Sequence, residues 1–415
     1  ALKERPVVTG KAVLRLEDWI DYLGEVAPER EYLVKDVLPR GQAAVLAAQG
    51  DTGKGMMLLD LALKVAGGEK LPMALHPTAF GCEIAAFGTV VIFSAEDDKA
   101  ELQRRVSRLD PDGKLRKAAG KRLRIVPLPN AGGMLQLVTS GPGGVQTTPE
   151  WDRIRDQLLA LSDLKLVVFD PLSPFVGGDL NKDGALTQVL GGLFAGLATE
   201  TGATVLVSHH MRKPPGNITI TTPEQARDAI RGQAGIVDGV RAAYTLWPAG
   251  ERESKDVLKA MGAPGKEDDW RNKIVKGAVV KSNGPADRRV RTYMRAASGL
   301  LEDVTMQAGQ VNADKINVQH QRLIEAIKDG AAKGYPFTKT SPSTGVYIRR
   351  GEMAEVLHDI GRTKMHGMID ELLTEGMIVQ CRHTGQGAAW LDVADGPFAT
   401  GQGELAKGAQ EAWDE

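Results

Sequence analysis

Ala48-Gln49-Gly50-Asp51-Thr52-Gly53-Lys54-Gly55 is the stretch that decides the fold. It reads as a phosphate-binding loop, preceded by the apolar run Ala43-Ala44-Val45-Leu46-Ala47 and followed by the helical pattern Met56-Met57-Leu58-Leu59-Asp60-Leu61-Ala62-Leu63. Strand, glycine loop and helix in that order are the context the motif requires. Gly50 and Gly53 let the backbone curl so that successive N–H groups point inward at a helix N-terminus, where the helix dipole also favours an anion. Lys54 supplies a point charge for the outer phosphates. The candidate nucleotide-binding residues are therefore Gly50, Asp51, Thr52, Gly53, Lys54, Gly55 and Met56. Two positions depart from the pattern. Ala48 stands for the first glycine, and Gly55 stands where Ser or Thr normally places a hydroxyl on Mg²⁺, so the ion would keep an extra water or lean on a carboxylate elsewhere. The alternative is a glycine-rich turn that binds nothing.

Outward from the loop, 415 residues suffice for two to three domains, and 42% apolar with 25% charged residues is the composition of a globular protein with a sizeable core. A formal net charge of −1 excludes a global basic field, so any nucleic-acid binding must come from local patches. Cys82 and Cys381 match no metal spacing and read as buried hydrophobes in a reducing compartment. There is no apolar run of about 18 residues and no secretory pattern in Ala1-Leu2-Lys3-Glu4-Arg5-Pro6, so the expectation is a cytoplasmic protein without a membrane partner.

Residues 1–30 read as an N-terminal arm with one amphipathic stretch, Leu14 to Leu23. Residues 31–300 alternate apolar strand-like runs with helical stretches, the mark of an α/β domain with a mainly parallel sheet. Its candidate strands are Ala43 to Ala47, Thr89 to Ser94, Leu123 to Val126, Leu164 to Asp170, Thr204 to Ser208, Ala242 to Leu246 and Lys276 to Lys281. Ala131 to Gly144 and Met211 to Glu224 read as long loops at the edge of this domain. A linker over 301–318 is expected next. Over 319–395, helices at His320 to Ala331, Gly351 to Ile360 and Arg362 to Thr374 precede a β-hairpin, a winged-helix-like arrangement. Arg362, Lys364 and His366 lie where a recognition helix would meet duplex DNA. Asp370, Glu371 and Glu375 beside them would repel phosphate, which leaves docking of a protein equally open. Residues 396–415, rich in Gly, Ala and Glu, read as a disordered tail.

Three more strands end in chemistry. Leu164 to Asp170 is a buried strand closing on a carboxylate, as a Walker B strand does, and Asp170 is the candidate metal residue. Thr89 to Ser94 runs into Ala95-Glu96-Asp97-Asp98, where Glu96 is placed to orient and deprotonate an attacking water. Asp97 and Asp98 read instead as a helix N-terminal pair favoured by the dipole. Thr204 to Ser208 ends in His209-His210, and because neighbours on a strand face opposite ways, only one can look at a nucleotide. A phosphate sensor at this sheet edge is preferred to a structural pair or a metal ligand. Arg231 and Arg241 flank a small-residue stretch that permits close subunit packing, so either is a candidate to reach a neighbour's phosphates, the alternative being two surface arginines. Lys281, in Lys281-Ser282-Asn283-Gly284-Pro285, is a further candidate for contact with a neighbouring nucleotide.

Taken in order, the loop, Ser94-Ala95-Glu96-Asp97, Asp170 with Pro171-Leu172-Ser173, Ser208-His209-His210, the Arg-Gly stretch and Lys281-Ser282-Asn283-Gly284-Pro285 resemble the RecA-like P-loop ATPases. The resemblance is closer to the plasmid and phage RepA-type hexameric replicative helicases, relatives of the DnaB group. It covers Glu31 to Arg295. It implies ATP and Mg²⁺ as ligands, Lys54 on the phosphates, Glu96 as catalytic base, Asp170 at the metal, His210 as phosphate sensor and Arg241 as the trans-acting finger. It also implies a homo-oligomeric ring with nucleotide between subunits. The first expectation for its action is movement along single-stranded DNA, with Arg212 and Lys213 placed to grip the DNA backbone. The C-terminal module would then meet duplex DNA or a replication protein. A nucleotide-regulated DNA-binding protein or a regulatory ATPase ring without unwinding remains the alternative.

Overall fold

The computed structural model describes residues 24, 26–71, 77–141, 144–177, 184–212, 219–230, 233–263, 270–382 and 389–407. The amphipathic stretch Leu14 to Leu23, Arg231 and Lys213 lie outside these.

Nine strands form the main sheet: β1 (Ala43–Ala48), β2 (Thr89–Ser94), β3 (Leu123–Pro127), β4 (Leu164–Asp170), β5 (Thr204–His210), β6 (Ala242–Pro248), β7 (Ile274–Ser282), β8 (Arg291–Arg295) and β9 (Leu301–Asp303). Their order across the sheet is β3-β2-β4-β5-β1-β6-β7-β8-β9. The first six are parallel, whereas β7, β8 and β9 add antiparallel at one edge. The helices are α1 (Lys54–Gly67), α2 (Lys99–Leu109), α3 (Lys114–Ala119), α4 (Pro149–Leu159), α5 (Gly184–Thr201), α6 (Pro223–Asp228), α7 (Gln233–Gly239), α8 (Glu251–Ala260), α9 (Thr305–Ala332) and α10 (Arg362–Thr374).

Burial on both faces explains the unbroken apolar character of the central strands. All six residues of β1 are buried. Ala43, Val45 and Ala47 join one core with Phe169, Phe194 and Trp151, while Ala44, Leu46 and Ala48 join the other with Leu58, Leu61 and Tyr244. This is the two-residue alternation of a strand, written in small side chains where α1 must pack closely. β1 lies between β5 and β6, with Ala48 opposite His210 on one side and Leu246 on the other. The loop thus leaves the middle of the sheet beside the ends of its neighbours.

The loop expected over 131–144 is in part a hairpin. Within Ala131 to Gly144, residues Val138–Gly141 form a strand that pairs antiparallel with Gly144–Thr147 and parallel with Val176–Gly177. The glycines at 132 and 133, both at positive φ, bend the chain into this hairpin. Cys82 and Cys381 are only partly buried. Cys82 lies beside Arg291, whose guanidinium pairs with Asp287, and Asp287 also accepts from Arg289 at 2.8 Å.

No linker interrupts 301–318. Leu301–Asp303 is the last strand of the main sheet, and Thr305–Ala332 is one continuous 28-residue helix. Its first half is polar because those residues are largely solvent-facing helix rather than loop. Ala308 packs with Val257, Leu258 and Ile274 of the main domain, and Lys315 pairs with Asp256 on α8. Farther along, Leu323 and Ile327 enter a separate C-terminal core with Phe337, Met365, Ile369 and Leu391.

In that C-terminal module the expected helix Gly351 to Ile360 is instead two 3₁₀ turns, Arg350–Glu352 and Glu355–Leu357, separated by Met353 in extended conformation. α10 and the hairpin β11 (Val379–Arg382) and β12 (Ala389–Asp392) follow, and β12 also pairs with the short strand β10 (Phe337–Thr338). The expected tail folds back at least to residue 407. Asp392 is fully buried and accepts from the amides of Val393 and Phe398, both at 2.8 Å. This seats Phe398 against Ala331 and Trp390. A single buried aspartate and one aromatic residue outweigh a composition that reads as disorder. Among the described residues no helix is long and apolar enough to cross a membrane.

Candidate phosphate-binding site

The loop turns at Asp51 (φ 60°) and Gly53 (φ 92°), the left-handed region that glycine adopts without strain, and α1 begins at Lys54. The Thr52 hydroxyl, buried to 1% exposure, donates to the Gln49 carbonyl at 2.8 Å and closes the turn. From outside, Asn272 donates to the Asp51 carboxylate at 3.0 Å. Arg295, at the end of β8, donates to the Asp51 carbonyl and through Nε to the Asn272 carbonyl at 2.9 Å. The antiparallel edge of the sheet thus clamps the loop.

Three adjacent elements meet inside it. Lys54 Nζ donates to Ser208 Oγ at 2.8 Å and lies 3.6 Å from Asp170 Oδ1. The Ser208 hydroxyl donates to the same carboxylate. Register explains the meeting: Ser94 stands opposite Asp170 on β2 and β4, and Ser208 stands opposite Leu46 on β5 and β1, so all four strand ends open on one edge. Just beyond, Glu96 Oε1 lies 3.7 Å from His210 Nε2 with the Glu96 side chain 62% exposed. His209 points the other way and is 3% exposed. The cavity enclosed by the loop, Glu96, Asp97, Arg105, Asp170 and His210 measures about 380 Å³. A larger cavity of about 720 Å³ lies in the C-terminal module, where Lys333 lines the wall and Arg322 and Arg349 are paired with Glu325 and Glu352 at 2.7 Å each.

Asp98 behaves as expected, capping α2 by accepting from the Glu101 amide at 2.7 Å. Asp97 does not. It faces the cavity and accepts from Arg105 at 2.6 Å, and burial followed by Arg105 and Asp170 governs its carboxyl, the net effect being upward from the usual range. Arg105 also donates to Glu101 at 3.1 Å. A Cβ added at Gly55 would stand 2.8 Å from the Arg105 guanidinium. Where the motif normally sets a hydroxyl, this chain sets an arginine.

That arrangement does not fit a magnesium ion held in the expected way. Gly55 offers no oxygen, Asp170 is engaged by Lys54 and Ser208, and among the described residues no group of three His, Cys, Asp or Glu is placed to hold a metal. Arg241 and Lys281 are not in this cavity. Arg241 precedes β6 at the opposite edge of the sheet and is exposed. Lys281 donates to the Val237 and Asp238 carbonyls, and burial lowers its ammonium below the usual range. Ser208, Asp97, Arg105 and Arg295 were not assigned from sequence. Glu101, Arg105 and Arg108 at helical spacing after a strand end are the signal that marks a basic face turned to the loop. For Arg295 there was none, because its contact spans 244 residues of chain.

Strand order, loop and edge constellation give a mixed α/β core with a large, mostly parallel sheet, which resembles RecA-like P-loop domains. A family profile described as an AAA domain matches residues 11–216, a span holding the loop, Glu96, Asp170 and His210 but ending before Arg241. Among solved structures the chain is similar to a DnaB-like replicative helicase, studied with its primase, at 12% identity and TM-score 0.42 over 63% of this chain. The match spans 57% of the length of that helicase chain. It is also similar to the RadB recombinase at 11% identity and TM-score 0.38, over 64% of this chain and 91% of that one.

Proposed function

We propose that the chain is an ATP-hydrolysing, homo-oligomeric DNA helicase or translocase, hexameric, serving phage or plasmid replication in a bacterial cytoplasm. The observation that carries this reading is the Lys54–Ser208–Asp170 cluster beneath the loop, with Glu96 and His210 on the same cavity. Loop amides from Gly50 to Gly55 and the Lys54 ammonium hold the phosphates. On phosphate arrival Lys54 exchanges Ser208 for a phosphate oxygen. Glu96, exposed and unhindered by a capping role, orients the attacking water and accepts its proton. His210, next to Glu96, registers the outer phosphate and passes its departure along β5 to Met211 and Arg212. Arg241 and Lys281, at the far edge of the sheet, act on a neighbouring subunit's nucleotide, with Arg231 as the second candidate. Single-stranded DNA is the substrate track, gripped near Arg212 and the 138–147 hairpin. The C-terminal module, read as winged-helix-like, engages duplex DNA or a replication protein. Only part of its expected basic face is available, because Lys364 donates to Gln319 at 3.2 Å and Arg362 lies over the Tyr347 ring.

Hydrolysis measured with and without single-stranded DNA tests the reading. Stimulation by DNA, abolished in Lys54→Ala and reduced at least about a hundredfold in Glu96→Gln, is expected. Hydrolysis that survives Lys54→Ala would refute the site. Hydrolysis indifferent to DNA would favour the second reading, a nucleotide-regulated DNA-binding or regulatory ring, to which the missing hydroxyl at Gly55 lends support.

A further inference from the structure

We infer that Arg105 takes the place of the metal-binding hydroxyl and its ion, so that this pocket binds nucleoside triphosphate through Lys54 and Arg105 without requiring a divalent cation. The inference rests on the nucleotide-binding reading above and deepens it.

Three observations converge. Gly55 leaves open the space beside Lys54, and the Arg105 guanidinium fills it to within 2.8 Å of where a Cβ would stand. The arginine is held there from both sides, by Asp97 at 2.6 Å and Glu101 at 3.1 Å. Glu101 is fixed in turn by Arg104 at 2.7 Å. Finally, the carboxylate that would hold an ion is already bound by Lys54 and Ser208. Glycine is what makes room for the guanidinium: a serine hydroxyl at 55 would displace its tip.

The chemistry suits the role. A guanidinium has five N–H donors in a planar array, so it can keep its two carboxylates and still donate to a phosphate oxygen. Charge-assisted bonds to phosphate are about twice as strong as neutral ones. Two fixed cations, Lys54 and Arg105, then flank the loop amides and share the neutralisation that elsewhere falls to lysine and metal. Asp97 and Glu101 act here as positioning residues that aim the arginine.

The test measures binding rather than turnover. A fluorescent ATP derivative is titrated into the full chain, once with magnesium and once with EDTA, for wild type, Arg105→Ala, Arg105→Lys and Lys54→Ala. Wild type should bind in the two buffers within about threefold. Arg105→Ala should lose about tenfold or more in EDTA, with Arg105→Lys between, as removal of a charged hydrogen-bond donor predicts. Thermal melting checks that the variants fold, which a side chain 28% exposed permits. Wild-type binding that collapses in EDTA, or Arg105→Ala binding like wild type there, overturns the inference and leaves the nucleotide site intact. Binding in neither buffer, or binding indifferent to Lys54→Ala, overturns both.

Discussion

Asp287 shows how local chemistry sets stability at the scale of one residue. Hydrogen bonds from Arg289, reinforced by Arg291, hold its carboxyl well below the ordinary carboxylate range despite partial burial. A depressed carboxylate contributes stability above its unfolded value, about pH 4, and that contribution is lost as pH falls through the folded value. The urea midpoint of the wild type should therefore decline below about pH 4. Asp287→Asn should be less stable at pH 7 and converge on wild type in acid. A constant gap between the two at all pH values would refute the assignment. At this same scale some strand-end residues were legible in the sequence, whereas Ser208 and Arg295, also at strand ends, were not. Lys54, Glu96, Asp170 and His210 line one cavity because parallel strands deliver their ends to one edge. Asp97 was read with Asp98 as a helix N-terminal pair because sequence shows adjacency to a helix but not which of two neighbouring aspartates turns inward. Arg105 depends on the space opened by a glycine fifty positions earlier, a relation visible only in three dimensions.

At the scale of elements, apolar runs placed the seven candidate strands within about two residues of their observed bounds, since burial on both faces leaves little else for such runs to do. Elements whose identity depends on solvent exposure were harder to read. α9 is the clearest case: Asn312 and Asp314 are exposed and polar, yet helical. The 138–147 hairpin and the Phe398 turn failed for the same reason, glycine content masking pairing and one buried anchor. The helix makes a sharp prediction. Ala313→Pro should cost about 3 kcal/mol through a lost backbone hydrogen bond and a ring clash with the preceding turn. Urea unfolding would report it, together with new proteolytic cleavage near 313. A flexible linker would accept the proline at no measurable cost, and that result would count against the continuous helix.

Across the whole molecule, the phosphate loop opens on one edge of the sheet, and Arg241 and Lys281 lie at the other. A catalytic contribution from Arg241 therefore has to reach the pocket of a different subunit, as a head-to-tail ring provides. Mixing decides this. Lys54→Ala and Arg241→Ala should each be inactive alone, while an equimolar mixture assembled together should recover about a quarter of wild-type hydrolysis, the share of interfaces that pair an intact loop with an intact arginine. No recovery on mixing would remove Arg241 from the site.

The loop clamp and the long helix share a root. β8 ends at Arg295, whose side chain grips Asp51, and five residues separate it from β9, which leads into α9. A straight helix of this length is about 42 Å from end to end, so a tilt of about 5° at its base carries its tip through roughly 4 Å. One unbroken run of chain thus joins the contact at Asp51 to Leu323, Ile327 and the small sheet they support.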